Sequence, residues 1–468
     1  MAELTDPLAQ AAARHGPRPA LIDGAHSLSF AELHHQSQVL ATQLAQQGVR
    51  RGDHLLLIDE HNRLTLRTLW ATCLLGCVVI PLNPSLPPAQ LDAQLATAQP
   101  RWLIGQNYRG ALPPGCHRLS LDAADLPAPR VEFPPLDPHA PLTGTFTSGS
   151  SGNPKLALHS LANHHYSAAG SNHVIPLKPG EGWGLTLPLY HIGGLAILFR
   201  CLLAGAALVL GDRRDLDFFL RHPKVTHLSA VATQLIRLQR QGHTLGEGSL
   251  RHLLLGGSAF PQALLDWLQK QTVQCHISYG LTEMSSQVMT GPLNPESRIL
   301  SELPHRQLRI AAPAGEEGEI LLRGQTLWLG YYLDGELQRP LDPEGWFHTR
   351  DRGQLDKTGA LKVIGRLDNQ FVSGGENVQP EPLEAIIRQF GGIDECYLVP
   401  VPDAEYGARA VCFVEPFPAD GGTALGQWLQ SQLASHQRPR AFYPIPAELR
   451  SGLKISRQHL SRWAQQQV

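Results

Sequence analysis

Short apolar runs alternate with longer amphipathic stretches through the first half of the chain. His54-Leu55-Leu56-Leu57-Ile58 reads as a buried strand, Leu64 to Cys77 as a helix, and Val78-Val79-Ile80 as a further strand that stops before Pro81. The alternation returns at Ala206 to Leu210, Val225 to Leu228 and Leu253-Leu254-Leu255. Strands separated by helix-length segments predict α/β layering with mainly parallel strands.

From Glu316 the texture changes. Gly318 to Gly324 and Ala360 to Gly365 predict short strands bounded by glycine turns, Pro380 to Phe390 a helix, and Glu395 to Val401 a strand. The fold class expected is therefore α/β: a large N-terminal domain of layered α/β subdomains, then a small C-terminal α+β domain on a hinge. We place the boundary near Leu367 and Asp368, giving domains 1–367 and 368–468. Ala123 to Pro141, rich in proline and acidic residues, predicts a connector, and no internal repeat is found.

Composition narrows the function classes. The chain of 468 residues is too long for one ordinary compact domain. Its 39 Lys+Arg against 41 Asp+Glu argue against a nucleic-acid or anionic-membrane surface. The 22 histidines show no tight metal spacing and read as surface or core residues. The 7 cysteines are scattered without a CxxC pair, which predicts a reducing, cytoplasmic location. Cys73 and Cys77, four apart in an apolar stretch, predict one face of a buried helix. Met1 to Arg14 lacks the pattern of a signal peptide, and the apolar stretch from Leu69 to Leu82 is too short to span a bilayer. A homo-oligomer is compatible with these features.

The candidate chemistry begins with Thr147-Ser148-Gly149-Ser150-Ser151-Gly152-Asn153-Pro154-Lys155. Glycines let backbone N–H groups approach phosphate oxygens, hydroxyls add donors, and Lys155 supplies a point charge. It is not a Walker A loop, because Pro154 stands where the second glycine would fall and Leu156 replaces the hydroxyl residue after Lys155. Taken alone, such a Gly/Ser run reads equally as a surface linker.

In company it does not stand alone. The loop resembles the phosphate loop of the acyl-adenylate-forming superfamily, with Ser151 where threonine is usual. Further motifs follow in that family's order as far as Lys454, over about two thirds of the chain. The resemblance implies that Gly256-Gly257-Ser258-Ala259 lets adenine and the acyl group lie against backbone. Within Tyr279-Gly280-Leu281-Thr282-Glu283 it implies that Tyr279 stacks on adenine, Thr282 bonds the α-phosphate and Glu283 binds Mg²⁺. Asp351, in Thr349-Arg350-Asp351-Arg352-Gly353, would accept from the ribose hydroxyls; most of the family has glycine at the place of Arg350. In Gly365-Arg366-Leu367-Asp368-Asn369, Arg366 would reach ribose or phosphate and Asp368 would be the pivot between domains. Gly374 and Gly375 match the loop that admits the coenzyme A arm for thioester formation; a plain hairpin turn is the other reading. Lys454 matches the adenylation lysine, a cation between an attacking carboxylate and the α-phosphate. His191, in Leu187 to Gly194, would gate the reacting carboxylate, unless it is a core histidine. Lys454, Thr282 and His191 are thus the catalytic candidates, with ATP, Mg²⁺ and coenzyme A as the cofactor set.

The acid is addressed by Arg200, whose helical neighbours Ala196, Ile197, Leu203 and Ala204 are all apolar. An arginine there either snorkels outward or pairs with something buried. A second carboxylate on a dicarboxylic substrate is one such partner; a structural ion pair is another. The variants around His191, Arg200, Thr349 to Gly353, Gly365 to Asn369, Ser373 to Glu376 and Lys454 to Gln458 resemble the bacterial 2-succinylbenzoate–CoA ligase subfamily of menaquinone biosynthesis. Ligases for aryl, cinnamoyl or fatty acids, a carrier-protein adenylation domain, and a non-catalytic nucleotide-binding protein are the alternatives.

Overall fold

The computed structural model describes residues 6–58, 61–105, 108, 110–121, 133, 135–148, 154–256, 260, 262–294, 299, 302–450 and 455–467. Two eight-stranded sheets organise the larger part of the chain. One runs, in spatial order, Ser286–Pro292, Gln274–Leu281, His252–Leu255, His227–Ala230, Gly182–Gly184, Ala207–Leu210, Pro19–Asp23 and His26–Ser29. Its interior pairings are parallel, and only the two edge pairings are antiparallel. The other runs Glu336–Gln338, Gly330–Leu333, Pro154–Ser160, Pro141–Ser148, Val78–Leu82, His54–Ile58, Trp102–Ile104 and His117–Arg118. Its second half is parallel and its first half antiparallel.

Helices fill the space between these sheets because each carries a wide apolar face. Phe30–Gln46 starts on a capping box, in which Ser29 accepts from the Glu32 N–H and Glu32 accepts from the Ser29 N–H. Arg63–Leu75 is capped by Asn62. With Ile192–Ala204 they bury Leu40, Leu69, Trp70 and Phe199 in one core. A second core gathers Phe219, Leu253, Leu322 and Trp328, and a third Leu56, Ile80, Leu103 and Leu156.

An antiparallel four-stranded sheet follows, in the order Arg306–Ile310, Gly318–Gly324, Phe347–Leu355 and Leu361–Arg366. Beyond it lie the hairpin Phe371–Ser373/Glu376–Val378 and a three-stranded sheet of Glu395–Asp403, Gly407–Glu415 and Phe442–Pro444 with three helices. The two cores of this last region, around Leu398 and Phe413, take their buried residues from Val378 onward, with the partly buried Phe371 packed on the first, while the buried residues of the first three cores end at Leu361. The 3₁₀ turn Leu367–Asn369 stands between the two sets. The chain thus has the layered α/β fold with a smaller C-terminal domain.

Two local expectations need correction. The strand begun at Val78 continues through Pro81 to Leu82. Pro81 pairs with Leu57 on one side, whereas pairing with Pro141–Ser148 falls at Val79 and Thr143, so the missing N–H breaks no ladder there. Cys77 is buried but lies beyond the helix, which ends at Leu75 because Gly76 turns left-handed at φ 70°. The connector predicted from Ala123 to Pro141 falls largely outside the described residues, and Pro141 already opens a strand.

The parallel sheet buries a row of histidines. His227 and His252 are register partners with ring centroids 4.6 Å apart, and His252 Nδ1 lies 3.2 Å from His276 Nε2. Burial lowers His227 to about 3 and His276 to about 4, and it lowers His159 to about 4 as well. Each is neutral in the folded protein while its unfolded counterpart protonates near 6.5. The stability they supply is therefore complete above pH 6.5 and is lost as pH falls toward 4. At pH 5.5 the loss should be about 1.4 kcal/mol per histidine. Denaturant unfolding at pH 7.5 and 5.5 measures it, and H227Q should flatten the dependence.

Candidate active site

The candidate residues sit where strands end. Gly256 follows the carboxyl end of His252–Leu255, and Tyr279 to Glu283 close the neighbouring parallel strand, the edge at which open α/β sheets bind ligands. Tyr279 is buried, and its hydroxyl donates to Asp351 Oδ2 at 2.7 Å. Burial, and after it the Asp351 charge, pushes that phenol well above its usual range. A Cβ at Gly280 would stand 2.1 Å from the Ser286 carbonyl oxygen, so only glycine fits between the two strands at this bulge.

Asp351 faces Arg366 across an antiparallel pair, and Arg366 Nη1 donates to Asp351 Oδ1 at 3.0 Å. Arg366 also forks onto Asp368, with Nε to Oδ1 at 2.8 Å and Nη2 to Oδ2 at 2.9 Å. The fork to Asp368 raises the Arg366 guanidinium despite burial. Burial works to raise Asp368, but the bonds from Arg366 prevail and hold its carboxyl below the usual range. Tyr279, Asp351, Arg366 and Asp368 thus form one chain of polar contacts. Arg350, where glycine is usual in the superfamily, sits at φ 65°, a conformation that costs an ordinary side chain about 1 kcal/mol.

The glycine loop spans the tip of a hairpin whose arms pair Thr147 with Lys155 and Ser148 with Pro154. Gly149, Ser150, Ser151 and Gly152 lie outside the described residues, as do Gly257, Ser258 and Lys454, and so does the side chain of Ser148. Lys155 Nζ lies 5.2 Å from the centre of the Tyr331 ring, and the Tyr331 hydroxyl donates to Glu283 Oε1 at 2.5 Å. Thr282 is held from the other side: His159 Nε2 lies 2.7 Å from its carbonyl oxygen, so the neutral imidazole carries its proton there.

His191 occupies the N-cap position of Ile192–Ala204, its ring edge-on to Tyr190 at 4.8 Å. Further along that helix Arg200 is 1% exposed. Its Nη2 donates to Ser286 Oγ at 3.1 Å, and its guanidinium lies 5.2 Å from the Trp183 ring centre. Among the described residues no carboxylate pairs with it, and burial lowers its pKa to about 10. A second buried arginine, Arg306, lies close enough to repel it and is met by the carbonyls of Gln287, Pro304 and Ser167. Gly374 and Gly375, at φ 59° and 84°, form the two-residue tip of their hairpin. Among the described residues no hydrogen bond joins that hairpin to the Tyr279–Asp351 cluster.

His159, Tyr331 and Arg306 are absent from the sequence-based candidates. Each acts through a partner more than a hundred residues away or across a sheet, which neither spacing nor periodicity reveals. Among the described residues no group of three or more His, Cys, Asp or Glu is arranged to hold a metal, and no helix is long and apolar enough to cross a membrane. A cation would thus be met by the half-buried Glu283 carboxylate, a hard oxygen donor, together with oxygens of a bound nucleotide.

Comparison with known proteins agrees with this arrangement. The family model described as AMP-binding enzyme matches residues 8–332. A 2-succinylbenzoate–CoA ligase of Salmonella typhimurium is 36% identical over 95% of this chain and 94% of its own length. An Escherichia coli MenE variant with bound OSB-AMS superposes with a TM-score of 0.87 at 33% identity, covering 99% of both chains. The Bacillus subtilis o-succinylbenzoate coenzyme A synthetase (MenE) in complex with ATP and magnesium ion gives 0.81 at 28% identity, covering 94% and 95%. With the motifs in order, the strand-end site and similarity over nearly the whole length, the chain belongs to the AMP-binding enzyme family.

Proposed function

We propose that this protein is an ATP-dependent acid–CoA ligase that converts 2-succinylbenzoate to 2-succinylbenzoyl-CoA through an acyl-adenylate, a step of menaquinone biosynthesis. The observation that carries the choice of acid is Arg200: a buried guanidinium on the helix opened by His191, without a carboxylate partner among the described residues. A substrate with two carboxylates offers one to react and one to neutralise that charge. The names of the relatives point to the same acid.

In the first step the succinyl carboxylate oxygen attacks the α-phosphorus, the bond to the bridging oxygen breaks, and pyrophosphate leaves. Tyr279 stacks on adenine and Asp351 accepts from the ribose. Thr147 to Lys155 holds the departing phosphates. Thr282 and Lys454 stabilise charge at the α-phosphate. Mg²⁺ on Glu283 would neutralise phosphate charge. His191 closes the acyl side, and Gly256, Gly257 and Ser258 form the wall against which the adenylate lies. In the second step the C-terminal domain turns about Asp368, which withdraws Lys454 and presents Gly374 and Gly375 to the coenzyme A arm. The thiol sulfur attacks the acyl carbon and AMP leaves. The seven buried, free cysteines fit a cytoplasmic location.

Pyrophosphate release with ATP, coenzyme A and a panel of acids tests this reading. 2-Succinylbenzoate should exceed benzoate, a cinnamate and a medium-chain fatty acid by at least about 100-fold in kcat/KM, the scale of one buried charge pair. Equal rates with a monocarboxylate would reject the assignment of the acid, and no acid-dependent release would reject ligase activity.

A further inference from the structure

Tyr331 belongs to none of the recognised motifs, yet it touches two of them. It lies on Gly330–Leu333, antiparallel to Pro154–Ser160, with Ala157 as its register partner. That pairing brings it beside Lys155, two residues from Ala157. Its ring face meets the Lys155 ammonium, and its hydroxyl meets the Glu283 carboxylate. Trp328 packs on the ring at 5.3 Å, and its backbone N–H donates to the Glu283 carbonyl at 2.8 Å. The segment from Trp328 to Tyr331 therefore grips Glu283 by main chain and side chain together. Tyr331 is 8% exposed, so these contacts are largely shielded from water.

We propose that Tyr331 is a positioning residue for adenylation, holding Glu283 and Lys155 apart at fixed places so that the divalent cation and the ATP phosphates are bound as one unit. The inference rests on the metal and phosphate roles given above to Glu283 and Lys155. A lysine and a glutamate that meet the same tyrosine would gain from pairing directly if they came together, and such a pair would use the charges needed by the cation and the phosphates. No ion pair joins Lys155 to Glu283, both of them described residues; each instead contacts Tyr331, one at the ring and the other at the hydroxyl. Its face attracts the ammonium. Its hydroxyl makes a short charge-assisted bond to one carboxylate oxygen and leaves the other to face a hard cation.

The test separates the two handles of the ring. Tyr331→Phe keeps the face and removes the hydroxyl; Tyr331→Leu removes both. Mn²⁺, read by electron paramagnetic resonance, serves as the cation, with α,β-methylene-ATP as the nucleotide, so that binding is measured without turnover. Tyr331→Phe should weaken Mn²⁺ binding about tenfold, the scale of one charge-assisted hydrogen bond. It should leave metal-free nucleotide affinity within about twofold, since the cation–ring contact persists. Tyr331→Leu should add a loss of about fivefold in metal-free nucleotide affinity. Glu283→Gln is the control. If Glu283→Gln abolishes tight Mn²⁺ binding and Tyr331→Phe leaves it unchanged, the Tyr331 proposal is wrong and the metal role stands. If Glu283→Gln leaves Mn²⁺ binding intact, the metal role itself is wrong and the proposal falls with it.

Discussion

Replacing Arg200 by leucine should lower kcat/KM for 2-succinylbenzoate by about 10²- to 10³-fold without destabilising the free protein. One buried charge meets different surroundings in two states. Without substrate, the Arg200 guanidinium donates one bond to the Ser286 hydroxyl and lies against the Trp183 ring. Those contacts are worth about 3 kcal/mol together, against a desolvation cost of several kcal/mol for the buried cation. Loss of the side chain therefore leaves stability unchanged or raised by about 1 kcal/mol. In the proposed complex the ring carboxylate would complete the pair, and truncating one partner of such a pair costs roughly 2–5 kcal/mol. Thermal unfolding of the free enzyme and steady-state kinetics check the two halves. The sharper comparison uses 4-oxo-4-phenylbutanoate, which lacks the ring carboxylate. Wild type should discriminate against it, and Arg200→Leu should accept both acids at similar low rates, a cycle between residue and substrate group. An equal fall for both acids would remove Arg200 from the recognition of the carboxylate.

Arg200 itself is legible in the sequence. The helical period around Arg200 exposes an arginine among apolar neighbours, and the structure places it on a buried helix face. Strands such as His54–Ile58 and Gly318–Gly324 appear where short apolar runs predict them, because a run bounded by turn residues has few other ways to bury itself. Which strands run antiparallel is not written in such runs. Hydrophobicity also marks neither of the adjacent Tyr331 and Tyr332 as the one that turns inward; pairing with Pro154–Ser160 decides it. The joining of Tyr279 to Asp351 depends on the first eight-stranded sheet meeting the four-stranded one, and that of His159 to the Thr282 carbonyl on its meeting the other eight-stranded sheet. Motif order reveals Tyr279, Thr282 and Asp351, and only the packed chain reveals His159 and who holds whom.

Replacing Asp351 by alanine should lower kcat/KM for ATP by about 10²- to 10³-fold, while KM for the acid moves little. Asp351 is the junction of the polar chain: Oδ2 takes the Tyr279 hydroxyl and Oδ1 takes Arg366. In the proposed complex the ribose hydroxyls would donate to this carboxylate, and charged hydrogen bonds of this kind contribute roughly 1.5–3 kcal/mol each. Alanine would remove the proposed ribose bonds and would also take from Tyr279 its acceptor, so the ring proposed to stack on adenine would lose its fixed angle. Arg366 keeps its fork onto Asp368, which preserves the strand end and limits the structural damage. Asp351→Asn should fall between, near tenfold, because the amide retains one acceptor oxygen but meets one of its two donors with an N–H. Calorimetric titration with a non-hydrolysable ATP analogue reads the binding loss directly, and pyrophosphate release reads the rate. Intact nucleotide affinity in Asp351→Ala would show that the ribose is held elsewhere. A matching loss of acid affinity would instead point to general collapse of the site, which the retained Arg366–Asp368 fork argues against.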